Sequence, residues 1–295
     1  MKTKQDVILR GLIWNGEVSL AVADTTRLVG RAIEIHGLSP LSAAALGRTL
    51  TVAAYMCSSL KEERGALSVS VKGDGIGGPI YVSGDKKLRM RGYIDNPQAF
   101  LPPNARGKLD VGGCVGRNGT LSVVREDGEG IPFVGTTPLV SGEIGEDFAA
   151  YFAYSEQLPT AIAVGVKIGK EGTCLGAGGV FLQPLPGACE ESLKKTDETI
   201  AKFAAVSSML EEMTAEELAE KYFGNVNFYK QKPEYKCNCS RNYIEGILSA
   251  MGEEELRSIL AEEGKISVHC HYCNKDYVFT PEETEDLISR MRGRT

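Results

Sequence analysis

The chain has 295 residues, of which 42% are apolar, with 33 basic and 39 acidic side chains and a net charge of −6. That length suggests about two domains, and the apolar share supplies a real core. The acidic balance argues against a general electrostatic hold on nucleic acid. In the opening residues, MKTKQDVILRGLIW, the cations Lys2 and Lys4 are followed by Asp6 and Arg10, which interrupt any apolar run. No secretion signal is expected there, so the cytoplasm is the expected compartment. In a reducing compartment, paired cysteines serve as metal ligands or redox sensors rather than standing disulfides.

Residues 6 to 23 read as a hairpin with Asn15-Gly16 at its turn. A helix is predicted from about Thr25 to His36, ended by Gly37. Ser39 then caps a second helix with Pro40 in its first turn. It runs to about Leu60, and its small apolar residues mark it as buried. The stretch 41 to 60 also carries Arg48 and several Ser and Thr, which suits a buried helix and not a membrane span. Strands fit residues 66 to 72, 79 to 84, 87 to 94, 119 to 125, 132 to 140, 160 to 168 and 173 to 183. A short helix fits Glu146 to Glu156. Strands outnumber helices and most links look like turns, so the expected class is α+β with a largely antiparallel sheet.

Composition shifts after Pro184 and Pro186. The segment 184–232 reads as a charged helical linker, with Ile200, Phe203, Val206, Leu210, Leu218 and Tyr222 as its apolar positions. Thr214 and Glu217 form a capping box. So many charges leave little apolar surface, and marginal docking is expected. The division is thus 1–183 for the core domain, 184–232 for the linker and 233–295 for a small C-terminal module. In that module a helix starts at Ser240, strands fit Lys265 to His269 and Asp276 to Phe279, and Thr280-Pro281-Glu282-Glu283 opens a last helix.

The C-terminal module carries the most informative residues. Cys237 and Cys239 form a CxC pair, Cys270 and Cys273 form a CxxC pair, and 30 residues separate them. Each pair can place two sulfurs on one ion, and four thiolates so arranged suit a tetrahedral zinc site. A module of about 60 residues has a marginal core of its own. A structural zinc would supply roughly 10 to 16 kcal/mol. His269 and His271 flank Cys270 and are expected outside the ligand set, because four sulfurs complete it. Such a closed site leaves no position for a reacting water, which argues against hydrolytic zinc catalysis.

The same paired thiols can also close into two short disulfides. Such minimal rings would contribute about 2 kcal/mol each at best, and a CxC ring is strained. Oxidation would therefore exchange a large stabilising contribution for a small one, with zinc loss and unfolding of the module as the expected outcome. Cys57, Cys114, Cys174 and Cys189 lack close partners; Cys57 and Cys174 read as inert core residues.

Other motifs fall away. Residues 73–78, GDGIGG, satisfy a dinucleotide fingerprint, but Pro79 and a second strand follow where a helix is needed, so a hairpin loop is expected. Gly176-Ala177-Gly178-Gly179 lies within a strand pattern and marks a bulge or a close approach. With three histidines in all, a Ser-His-Asp machine is not expected.

Taken together, these features resemble the redox-regulated 33 kDa chaperonin family, a bacterial heat-shock holdase. The resemblance rests on the cysteine quartet and its order, on ALGRTL at 45–50, on GKLDVGGCVGRNGTLSVV at 107–124 and on SEQLPT at 155–160. It implies one Zn²⁺ on Cys237, Cys239, Cys270 and Cys273 in the reduced, inactive state. It implies disulfides Cys237–Cys239 and Cys270–Cys273 on oxidation, with zinc release and unfolding of the C-terminal module. The linker then undocks, and unfolding client proteins bind without ATP, with dimers favoured on oxidation. No catalytic residue, nucleotide or membrane enters this scheme. Phe203, Leu210 and Tyr222 are candidate client contacts.

Two other readings remain open from the residues alone. One is a zinc ribbon that binds nucleic acid, with Tyr272, Tyr277 and Phe279 for stacking. The acidic balance and Glu253-Glu254-Glu255 oppose it. The other is a thiol oxidoreductase using Cys270-His271-Tyr272-Cys273, which the neighbouring CxC pair makes less apt than a metal quartet.

Overall fold

A computed structural model describes residues 5–128 and 132–292; Lys2 and Lys4 lie outside them. The chain divides into two compact units, Met1–Lys236 and Cys237–Thr295.

The first unit opens with strands β1 (Val7–Ile13) and β2 (Val18–Asp24), joined by a turn in which Trp14, Asn15 and Gly16 all adopt positive φ. Helix α1 (Thr26–His36) ends at Gly37, whose left-handed backbone lets its N–H reach the Ile33 carbonyl. Helix α2 (Pro40–Ser58) starts where Ser39 Oγ accepts from the Ser42 amide at 3.2 Å. There follow β3 (Ala66–Lys72), β4 (Ile80–Asp85), β5 (Arg89–Ile94), α3 (Val111–Val115), β6 (Thr120–Glu126) and β7 (Phe133–Pro138). Then come α4 (Gly145–Tyr154), β8 (Ala161–Ile168), β9 (Cys174–Pro184), α5 (Glu190–Ile200), α6 (Val206–Glu212) and α7 (Ala215–Phe223). Two short strands, β10 (Tyr229–Gln231) and β11 (Glu234–Tyr235), close the unit.

These strands form two sheets. The first has the order β10-β1-β2-β9-β8 and is antiparallel throughout. The second has the order β11-β5-β4-β3-β6-β7, antiparallel except where β11 runs parallel to β5. Helix α2 touches β8 and β9 of one sheet and β3, β4 and β5 of the other. From Leu41 to Ser58 every residue but Arg48 is buried. A helix covered on all sides must be apolar all round, which is why its small residues show no polar face. The expected α+β class with a largely antiparallel sheet is borne out.

The first sheet is covered on both faces, which accounts for three consecutive buried apolar residues, Val7, Ile8 and Leu9, in β1. Ile8, Ala21 and Phe181 face the inner core around α2. Leu9, Leu20, Val22, Val180 and Leu182 face an outer core completed by Phe203, Val206, Leu210 and Leu218. The segment read as a weakly apolar linker thus supplies half of a second core. Its few apolar positions suffice because they fall on one side of α6 and α7, and because β9 offers glycine where α6 lands. A Cβ on Gly178 would lie 2.3 Å from Leu210 Cδ1 and 2.0 Å from the Ala23 carbonyl oxygen. The close approach expected of this glycine run is what the structure shows.

The other glycine run is the loop between β3 and β4, which pair as a hairpin. Gly75 and Gly77 donate to the carbonyls of Val115 and Cys114, and a Cβ on Gly75 would lie 2.3 Å from the Cys114 oxygen. Elements without a strong pattern were not foreseen: α3, whose glycines are rescued by Asp110 accepting from the Gly113 amide, and the short strands β10 and β11.

The second unit comprises α8 (Arg241–Met251), α9 (Glu253–Glu263), β12 (Ile266–Cys270), β13 (Lys275–Phe279) and α10 (Pro281–Arg292). Ile244, Leu248, Leu256, Ile266, Phe279, Leu287 and Ile288 are its buried core. Thr280 and Glu283 exchange the two bonds of a capping box before α10, as their spacing predicts.

Candidate metal centre

Cys237 and Cys239 lie in the extended segment before α8, which Ser240 caps by accepting from the Tyr243 amide. Cys270 ends β12, and Cys273 lies in the turn to β13. The turn is tight because the amides of Cys273 and Asn274 both donate to the Cys270 carbonyl, at 3.2 and 2.8 Å, with Asn274 at φ 55°. Asparagine tolerates that left-handed conformation at little cost.

This geometry brings the four thiols together, although 30 residues separate the pairs. All four sulfurs lie within 4.8 Å of one another. Cys237 Sγ is 3.3 Å from Cys239 Sγ and 3.8 Å from Cys270 Sγ, and Cys239 Sγ is 3.1 Å from Cys273 Sγ. All are free thiols and partly buried. An ion about 2.3 Å from each of four sulfurs in a tetrahedron sets them about 3.8 Å apart. The distances found bracket that value, and four soft donors of one kind make a set that can hold a metal ion.

The electrostatics of the thiols are unequal. Burial pushes Cys237 up to about 11. Burial and the neighbouring thiols raise Cys273 above the ordinary thiol range. Burial acts the same way on Cys239, but hydrogen bonds from Tyr277, Cys273 and Cys237 outweigh it and bring that thiol down to about 7. The Tyr277 hydroxyl donates to Cys239 Sγ at 3.2 Å. Tyr277 was considered from sequence only as a stacking residue. Its place on β13, four residues past Cys273, was the available signal.

The histidines lie outside the quartet, as expected. His269 Nδ1 is 2.7 Å from Asp276 Oδ1 on the facing strand, and the His269 and His271 rings meet edge to face. Of the three aromatics considered for base stacking, Phe279 is in the small core and Tyr277 is engaged with Cys239. Two of the three candidate client contacts on the linker, Phe203 and Leu210, are not free surface either, while Tyr222 is half-buried. Phe203 and Leu210 are fully buried, and Phe203 stacks on Phe223 and meets Tyr222 edge to face. Phe203 and Leu210 can touch another protein only when the helices lift from the sheet.

The remaining cysteines are apart from the quartet. Burial raises Cys57 beyond the ordinary thiol range, Cys114 to about 11 and Cys174 to about 12. Cys189 is exposed at the start of α5. Among the described residues no helix is long and apolar enough to cross a membrane.

Comparison with known proteins places these features in context. The family model described as Hsp33 protein matches residues 6–280. A 33 kDa chaperonin of Acetivibrio thermocellus is 40% identical over 296 residues, which cover 98% of this chain and 99% of that one. A 33 kDa chaperonin of Clostridium botulinum is 37% identical over 288 residues, covering 96% and 97%. The crystal structure of the 33 kDa chaperonin (heat shock protein 33 homolog) from Thermotoga maritima matches with a TM-score of 0.88 at 33% identity, over 98% of this chain and 99% of that one.

Proposed function

Because the chain belongs to the Hsp33 family of 33 kDa chaperonins, we propose that it is a cytoplasmic, ATP-independent holdase switched by oxidation of its cysteine quartet. The family resemblance drawn from the sequence is borne out, and with it a chaperone character. The observation that carries the redox reading is the convergence of Cys237, Cys239, Cys270 and Cys273 to within 4.8 Å.

In the reduced state these four thiolates hold one Zn²⁺, which ties the segment before α8 to the β12–β13 hairpin. Tyr277 stabilises the Cys239 thiolate by hydrogen bonding. Two molecules of hydrogen peroxide take four electrons from the four thiolates. Disulfides Cys237–Cys239 and Cys270–Cys273 form, and the peroxide oxygens leave as four waters after taking up four protons. The donors are then gone, the ion is released, and a core of seven buried residues is left without its main support. Loss of the module's fold leaves the C-terminal end of segment 184–232 joined to unfolded chain, and the equilibrium of that segment shifts toward release from 1–183. Apolar surface of the outer core, Phe203 and Leu210 included, then meets unfolding clients. Oxidised chains pair as homodimers. The protein is not an enzyme in this scheme and needs no nucleotide.

The test is light scattering of a thermally unfolding client, with reduced zinc-loaded protein in one arm and peroxide-treated protein in the other. Suppression in the oxidised arm alone is the expected result. Equal behaviour in both arms would reduce the quartet to a structural staple.

A further inference from the structure

Residues 226–235 form a strap across the first unit. It engages both cores: Val226 and Phe228 pack on the outer one and Tyr235 on the inner one. It also pairs with an edge of each sheet. Tyr229, Lys230 and Gln231 pair antiparallel with Arg10, Leu9 and Ile8 of β1. Glu234 and Tyr235 pair parallel with Arg89 and Met90 of β5. Without the strap, both β1 and β5 would be edge strands.

The hold on β5 is short but complete. The Glu234 amide donates to the Leu88 carbonyl at 3.0 Å, and the Lys236 amide donates to the Met90 carbonyl at 2.8 Å. One step further along β5 the strap has no backbone to offer, and the Tyr235 side chain takes over. Its hydroxyl donates to the Gly92 carbonyl at 2.8 Å and accepts from the Gly92 amide at 3.3 Å. His36 Nε2 holds that hydroxyl at 3.0 Å. A side chain thus stands in for a strand partner. A few bonds near an exposed chain segment make such a strap a low-stability element. Only Lys236 separates Tyr235 from Cys237 in the chain.

We propose that the β1 and β5 edges covered by this strap form part of the client-binding surface, beside the apolar outer core, and that an unfolded polypeptide adds to them as an extended strand once the strap peels away. The assignment rests on the holdase reading above. The occupant is chosen by what already lies there: an extended segment held by its backbone, with apolar side chains reaching the cores on either side. Backbone pairing of this kind is indifferent to sequence, and it fits a partner whose amides and carbonyls are unpaired because it is unfolded. Loss of the fold beginning at Cys237 removes the anchor at the strap's C-terminal end.

The experiment uses full-length, reduced, zinc-loaded protein carrying Glu234→Pro and Tyr235→Ala. The first change removes the donor to Leu88, and the second removes both Gly92 bonds. Tyr235→Phe, which retains the ring and loses the same Gly92 bonds, serves as a milder second variant. The probe is chemically unfolded luciferase, and the readouts are light scattering and amide hydrogen exchange. The variants should exchange the Gly92 amide about tenfold faster than wild type. The double variant should suppress luciferase aggregation without peroxide, and luciferase should restore slow exchange along Val7–Ile13 and Arg89–Ile94. Freely exchanging edge amides that stay unprotected when luciferase binds would overturn the proposal, and so would failure of the opened double variant to bind. Protection that returns without luciferase, rising with chain concentration, would assign the edges to a second copy and overturn the client assignment. If peroxide-treated wild type fails to hold luciferase while the variant succeeds, the redox reading falls and the edge assignment is supported.

Discussion

Tyr277 and Cys239 are joined by a hydrogen bond of 3.2 Å from the phenol to the sulfur. The phenol favours the anionic form of that sulfur, as a hydrogen-bond donor to a thiolate does. Tyr277→Phe keeps the ring in the small core and removes only the donor. Zinc affinity should fall by about tenfold or more while the unit remains folded, which competition with a chromophoric chelator measures. Unchanged affinity would assign the hydroxyl no part in the site.

Metal removal from the reduced protein should unfold the second unit and spare the first. At about 60 residues, this unit is in the size range where a metal or disulfides usually supplement the core. A chelator should abolish the far-UV signal of α8, α9 and α10, and re-added zinc should restore it. Helical signal that survives complete zinc loss would contradict this.

Phe203→Ala should loosen the helices that cover the first sheet. Phe203 is fully buried between the sheet and Phe223, so truncation costs about 3 to 5 kcal/mol. The single tryptophan reports on this cover, because Lys195 of α5 lies 4.8 Å over the Trp14 ring. A red-shifted emission and client holding before any oxidant are the expected outcomes, read by fluorescence and light scattering.

Asp6 gives the first unit a defined pH dependence. Its carboxylate accepts from the amides of Arg27 and Leu28 at 2.8 and 2.6 Å. Burial nevertheless raises it from 3.8 to about 7, with the nearby Asp24 adding to the rise and Arg27 opposing it. A raised acid keeps its proton in the folded state after the unfolded chain has lost it. Stability from this group is therefore full below about pH 4 and falls as pH rises to about 7, by up to about 4 kcal/mol. Asp6→Asn cannot ionise, so its denaturant midpoint should lack this decline. Parallel pH profiles for the two proteins would refute the assignment.

Thiol labelling should follow exposure. With zinc bound, iodoacetamide followed by mass spectrometry should find Cys189 modified first. Cys57 and Cys114, buried and with raised thiols, should react only after unfolding. Early labelling of Cys57 would show that the core around α2 opens readily.

Much of the fold was legible because its signals are local. Ser39 with Pro40, Thr214 with Glu217 and Thr280 with Glu283 each act within a single turn, so the helix starts could be read from spacing of three residues or fewer. The alternation in β3, with Leu67, Val69 and Val71 inward, marks a strand with one buried face. The docking of the helices after β9 was underestimated. Their charge was visible, and so was a glycine run inviting a close approach, but not that Leu210 would be what settles against Gly178.

The sequence by itself determined which atoms could bind a metal and the class of fold that carries them. Four thiols in two close pairs define a donor set whatever the rest of the chain does. Only the tertiary structure decided that the pairs converge, that Tyr277 serves Cys239 rather than solvent, and that Tyr235 completes β5 at Gly92. Those partners lie 38 and 143 residues apart. No local pattern encodes such meetings, because they exist only after two sheets and a hairpin have fixed the positions of the backbones between them.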